Sequence, residues 1–98
     1  MVLKLDPSNA EAWYDYGDTL GEMGMFFKAL EVLEESIKLS PKFGPSHYSR
    51  GKVLLMLGDT EGAIESMKTA FEFEPELKEL FKSEFPGFRR PFSRILKK

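Results

Sequence analysis

The run Gly58-Asp59-Thr60-Glu61-Gly62-Ala63-Ile64 echoes Gly24-Met25-Phe26-Phe27-Lys28-Ala29-Leu30 at an offset of 34 residues, and no other feature constrains the fold so tightly. Gly17 and Gly51, Ala29 and Ala63, and Pro41 and Pro75 keep the same offset. Recurrence at one period of roughly 20 to 50 residues marks a stacked architecture, because each unit alone cannot bury its apolar face and its neighbours must cover it. The segments ending at Pro7, Pro41 and Pro75 also align, so the sequence opens inside a repeat, as a piece of a longer array or as a truncated first unit.

The phased residues predict helices. Asn9 is a suitable N-cap, and residues 10–23 carry Trp13, Tyr16, Gly17 and Leu20 at one-face helical spacing until Gly24 supplies the left-handed stop. Residues 26–39 form a second helix with the stripe Phe26, Ala29, Leu30, Leu33 and Ile37, ended by Pro41. A third helix starts at Gly44-Pro45, with proline in the first turn where its missing N–H is harmless, and carries His47, Arg50, Gly51 and Leu54 inward. Asp59 caps the fourth, residues 60–73, whose stripe Ala63, Ile64, Met67, Ala70 and Phe71 copies that of the second. Gly17, Gly51, Ala29 and Ala63 let neighbouring helices approach closely.

Trp13-x2-Tyr16-Gly17-x2-Leu20, Ala29-x3-Leu33 and Pro41, followed by Gly51-x2-Leu54, Ala63-x3-Met67 and Pro75, resemble the tetratricopeptide repeat pattern twice over. The resemblance runs from Val2 to about Leu77. It implies an all-α fold: antiparallel helix-turn-helix repeats stacked as a right-handed superhelix, an α-solenoid. The divisions it suggests are 1–8 as the end of a preceding repeat helix, 9–42 and 43–75 as two repeats, 76–85 as a capping helix with Leu77, Leu80, Phe81 and Phe85 inward, and 86–98 as a basic flexible tail. The second copy departs from the pattern at His47 and Arg50, which stand where Trp13 and Tyr16 stand. A buried unpaired guanidinium is costly, so Arg50 is expected half exposed or paired, with Asp15 or Glu22 as its acid.

A chain of 98 residues accommodates one small domain. It has one His and no Cys, so triads, thiol nucleophiles and His-rich metal clusters have no residues to build them. No glycine-rich strand-to-helix loop cradles a phosphate. The expectation is a non-catalytic protein without cofactor or metal. No apolar run approaches the ~20 residues of a membrane span, and with cysteine absent the setting is read as cytoplasmic.

Function is expected on the helix faces opposite the repeat contacts. On the first helix these are Glu11, Tyr14, Asp18, Gly21 and Glu22; on the third, Pro45, Tyr48, Lys52, Leu55 and Met56. The resemblance implies that the first helix of each pair lines a concave groove. Tyr14 and Tyr48 offer rigid aromatic area, and Leu55 and Met56 are large apolar residues on a solvent-facing stripe. Glu11, Asp18 and Glu22 make one end acidic, which suits a peptide or helix of a protein partner with basic and apolar residues. Packing of Leu55 and Met56 beneath Leu80 and Phe81 is the competing reading. The family's clamp for a C-terminal carboxylate is missing, since Tyr14, Asp18, Ser49, Glu79 and Ser83 hold its positions.

Net charge is −2, but the last segment, from Phe85 on, carries five bases and no acid while the remainder holds sixteen acids and nine bases. Three readings stand for this tail: a solvated end, an arm for anionic lipid or nucleic acid with Phe88, Phe92, Ile95 and Leu96 as apolar partners, or a segment that occupies an acidic groove of its own or a neighbouring copy. A membrane surface and nucleic acid are the less favoured partners. Two repeats and a cap fall short of the ~3 units of a stable stack, so homo-oligomers through end-to-end stacking or helix exchange are a further expectation, as is a purely structural segment of a longer array.

Overall fold

The computed structural model describes residues 8–88 and 90–97. Five helices precede the tail: α1 (Ala10–Glu22), α2 (Phe26–Leu39), α3 (Gly44–Met56), α4 (Thr60–Phe73) and α5 (Leu77–Glu84). A 3-10 turn (Pro86–Phe88) and a short α6 (Ser93–Leu96) follow. The described residues hold no strand, and the fold is all-α, an α-solenoid of paired helices. Of the stretch 1–8 read as the end of a preceding repeat helix, residues 1–7 lie outside the described residues.

Local chemistry sets the boundaries. Asn9 Oδ1 accepts from the Ala12 amide at 3.2 Å and Asp59 Oδ1 from the Gly62 amide at 2.9 Å, each satisfying an otherwise orphan donor. At the other ends Gly24 and Gly58 adopt φ of 83° and 86°. Around Gly24, the Met25 amide reaches the Leu20 carbonyl at 2.9 Å and the Gly24 amide the Gly21 carbonyl at 3.1 Å. Asp59 and Gly58 repeat those bonds with Leu54 and Leu55 at 2.9 and 3.0 Å, so both turns are the same Schellman closure.

Within each pair the backbones approach until a side chain would not fit. A Cβ on Gly17 would stand 2.6 Å from Leu33 Cγ, and one on Gly51 would stand 2.9 Å from Met67 Cε. The pairs join through α2 against α3, with α1 also touching α3. Consequently α3 is enclosed on several sides: Val53 belongs to a cluster with Leu20, Ala29, Val32 and Leu33, while Tyr48, Leu54 and Leu55 belong to a second with Met67, Phe71 and Phe81.

Buried serines complete the joint. Ser36 donates to the Ala10 carbonyl at 2.8 Å and shares a 2.5 Å hydrogen bond with Ser46, which ties the starts of α1 and α3 to α2. Arg50 is partly exposed, as expected, but its acid is Glu34 at 3.0 Å, not Asp15 or Glu22. It also donates to Ser66 Oγ at 2.6 Å. The reason is placement: Arg50 faces α2 and α4, which flank α3, and its guanidinium spans them.

The capping segment differs from expectation in two respects. Phe81 is its fully buried anchor, and Leu77 and Phe85 are partly buried, but Leu80 points outward. The tail expected to be flexible folds back instead: Phe92 is fully buried, its ring 4.7 Å from that of Phe81, and Leu96 is buried beside it. Burying a phenylalanine contributes about 1.5–3 kcal/mol, enough to hold a short segment that charge alone would leave in water.

Candidate functional site

The concave side is built by α1, α3 and the end of α5. Asp18 on α1 faces Ser49 and Lys52 on α3, accepting from Ser49 Oγ at 2.8 Å and pairing with Lys52 Nζ at 3.5 Å through the same Oδ1. Lys52 Nζ also stands 5.4 Å from the centre of the Tyr48 ring. Tyr48 donates its phenol to Glu84 Oε1 at 2.6 Å, so α5 is fastened to α3 by a charge-assisted hydrogen bond. Burial, and then that carboxylate, push the Tyr48 phenol well above its usual range.

Tyr14 is half-buried, edge-on to Phe43 with ring centres 5.6 Å apart. Burial is the main cause that pushes its phenol up to about 12, and the negative charges of Asp18, Asp15, Glu22 and Glu84 add to it. Both tyrosines therefore stay neutral at ordinary pH, as hydrogen-bonding aromatic surfaces.

Between these helices opens a cleft of about 140 Å³. Its apolar wall is Phe26, Val53, Met56 and Phe85, with Gly21 leaving room where any other residue would place a side chain. Asp18, Glu22, Ser49 and Lys52 form the polar rim. A space of about 150 Å³ takes one benzene-sized group. This cleft therefore suits one apolar side chain presented beside a polar backbone.

Of the residues singled out from the sequence, Asp18, Glu22, Lys52 and Met56 meet at this cleft, and Met56 is 54% exposed. Glu11 is exposed in the first turn of α1 and Tyr14 lies beside Phe43, neither lining the cleft. Tyr48 and Leu55 correct the expectation of a solvent-facing stripe, since both are buried in the cluster that contains Phe81. The cap covers them, so Tyr48 acts as a fastener and Leu55 as core. Phe26 and Phe85 went unrecognised as groove residues because they read as core on the stripes of the second helix and the cap, and Val53 because it falls on neither stripe of the third helix. Gly21 was legible on the stripe, but an absent side chain gives no hint of a cavity.

Among the described residues, no group of three or more histidines and acids is placed to hold a metal ion, and no helix is long and apolar enough to cross a membrane.

Stacked helix pairs with phased glycine turns and a concave face define a helical-repeat protein. Residues 1–31 match a family described as tetratricopeptide repeat, and residues 44–77 match a second one of the same description. Together the matches span more than half of the chain, which belongs to the tetratricopeptide repeat family. It is also similar to mouse (Mus musculus) DnaJ homolog subfamily C member 7, with 30% identity over 73 residues. That alignment takes in 74% of this chain but 15% of the length of the mouse protein. Tetratricopeptide repeats are in general modules of protein–protein interaction, and the family is generally non-catalytic.

Proposed function

We propose that this chain binds a peptide or helical segment of a partner protein on its concave face, seating one apolar side chain in the cleft walled by Phe26, Val53, Met56 and Phe85. The observation that carries this reading is the division of labour in the cleft. Asp18 is already held by Ser49 and Lys52, whereas Glu22 makes no ion pair among the described residues. The rim thus offers one free carboxylate beside an apolar hole, and the matching segment has a basic residue close to its apolar anchor. Exposed Glu11 extends the acidic side along α1.

Affinity would come from desolvating the anchor, and the rim charge would set register and discrimination. Calorimetric titration with an amphipathic leucine–lysine helix, against its leucine–glutamate counterpart, tests the preference. Saturable binding of the lysine peptide that is lost in Met56→Asp, with any binding of the glutamate peptide untouched by that substitution, is the expected result. Full binding of the lysine peptide by Met56→Asp, or an equal loss of both peptides in Met56→Asp, would sink the reading.

Self-association is a second reading, favoured by Met23, Met25 and Phe27, all exposed at the α1–α2 turn. Sedimentation that stays monomeric at high micromolar concentration would remove it. Attachment to a lipid surface through a free basic arm loses its support, because Phe92 and Leu96, two of its apolar partners, are buried in the core.

A further inference from the structure

Five cations among the described residues are answered by an acid. Lys28 pairs with Glu31, Lys38 with Glu35, Arg50 with Glu34, Lys52 with Asp18, and Lys82 with Glu79. Lys68, Arg90 and Arg94 have no hydrogen-bond or ion-pair partner among the described residues, and these three line one groove between α4 and the C-terminal segment. The groove measures about 640 Å³, and Ile64 of α4 and Pro91 and Ile95 of the C-terminal segment supply its apolar surface.

The segment that carries two of these charges is held in place. Phe92 sits between Arg90 and Arg94 in sequence and is fully buried against Phe81, and Leu96 is buried one turn further on. With its apolar side turned into the core, the segment is no flexible arm, and it displays its guanidiniums at fixed positions beside Lys68. Holding like charges together without a counterion raises the local potential. Such a surface attracts a polyanion, and guanidiniums favour planar carboxylates.

We propose that the groove between α4 and α6 is a second docking site, for an acidic segment of a partner protein that carries an apolar residue between its carboxylates. The carboxylates meet Lys68, Arg90 and Arg94, and the apolar side chain rests on Ile64 and Ile95. Charge complementarity selects this occupant, since Glu65 is the one acid among the described residues that line the groove. The site lies apart from the concave cleft and takes the opposite charge, so it stands or falls independently of the cleft.

The test is a titration of the isotope-labelled full chain with a glutamate–leucine peptide, read as amide shift changes. Shifts confined to residues 64–68 and 90–95, with affinity falling several-fold as salt is raised from low to physiological strength, are expected. Arg90→Ser with Arg94→Ser should weaken binding about tenfold at an unchanged melting temperature, since both side chains are exposed. Glu65→Gln should tighten it about twofold. Shifts that map to the α1–α3 cleft, or binding untouched by the double substitution, would overturn the proposal. So would tighter binding of phosphatidylserine vesicles or a single-stranded oligonucleotide than of the peptide. Salt-sensitive dimerisation in the absence of peptide, abolished by the double substitution, would assign the groove to a second copy and equally contradict it.

Discussion

Tyr48 in the second repeat and Glu84 at the end of the cap are joined by a 2.6 Å hydrogen bond across the concave edge. The bond fixes where Phe85, the next residue, stands in the cleft. Tyr48→Phe removes the donor while Glu84, an exposed residue, retains water. The expected loss is about 1 kcal/mol, which lowers the melting temperature by about 4–8 °C in a domain of this size. An unchanged melting curve would show that the cap is held by its phenylalanines alone.

Alkaline stability follows from the tyrosines. Tyr14 ionises at about 12 in the folded chain, against 10.0 ordinarily. A proton held more tightly when folded stabilises the fold below the ordinary value, and the contribution disappears as pH rises from there through the folded value. Denaturant midpoints should therefore fall between pH 10.0 and about 12, and Tyr14→Phe should flatten that fall. Tyr48 shifts in the same direction and leaves a residual slope in the single variant. An identical pH profile for wild type and Tyr14→Phe would contradict the burial of this phenol.

The two glycines at the helix contacts should respond unequally to alanine. At Gly17 the new methyl meets the branched Cγ of fully buried Leu33, and overpacking of that kind costs about 1–3 kcal/mol. At Gly51 it meets the flexible end of Met67, which can turn aside. Helix propensity returns about 0.5–1 kcal/mol in both. Chemical denaturation should thus show a clear loss for Gly17→Ala and a change within about 1 kcal/mol for Gly51→Ala.

Removing the chain beyond Gly87 should destabilise the repeats. Phe92 and Leu96 leave with the truncated segment and expose Phe81. Loss of a buried phenylalanine costs about 3–5 kcal/mol, so Phe92→Ala should reproduce most of the effect. A truncation with an unaltered melting temperature would return the segment to the status of a solvated tail.

What the sequence disclosed and what it hid divide along physical lines. The caps at Asn9 and Asp59, the turns at Gly24 and Gly58 and the proline at the start of α3 were legible because each depends on a few neighbouring residues. Helical periodicity also found the inner faces of α2 and α4, whose other sides meet water. It failed on α3, where neighbours enclose several sides: Tyr48 and Leu55 read as exposed because they fall off the repeat stripe, yet they meet the cap. Ser36, Ser46, Ser49 and Ser66 were invisible as interior residues, since their burial requires partners that only the assembled helices supply. Charge obscured the tail in the same way. Arg90 and Arg94 suggested a solvated end, while the interleaved Phe92 had a place beside Phe81 that no local pattern announces.

The most direct test of the concave cleft uses its methionine. With methyl-labelled methionine, Met56 reports the cleft wall, Met67 the sealed core, and Met23 and Met25 the exposed turn between α1 and α2. Titration with the leucine–lysine helix should shift the Met56 methyl saturably while the other three hold their positions. An unmoved Met56, or equal movement of Met23, Met25 and Met56, would contradict binding at this cleft.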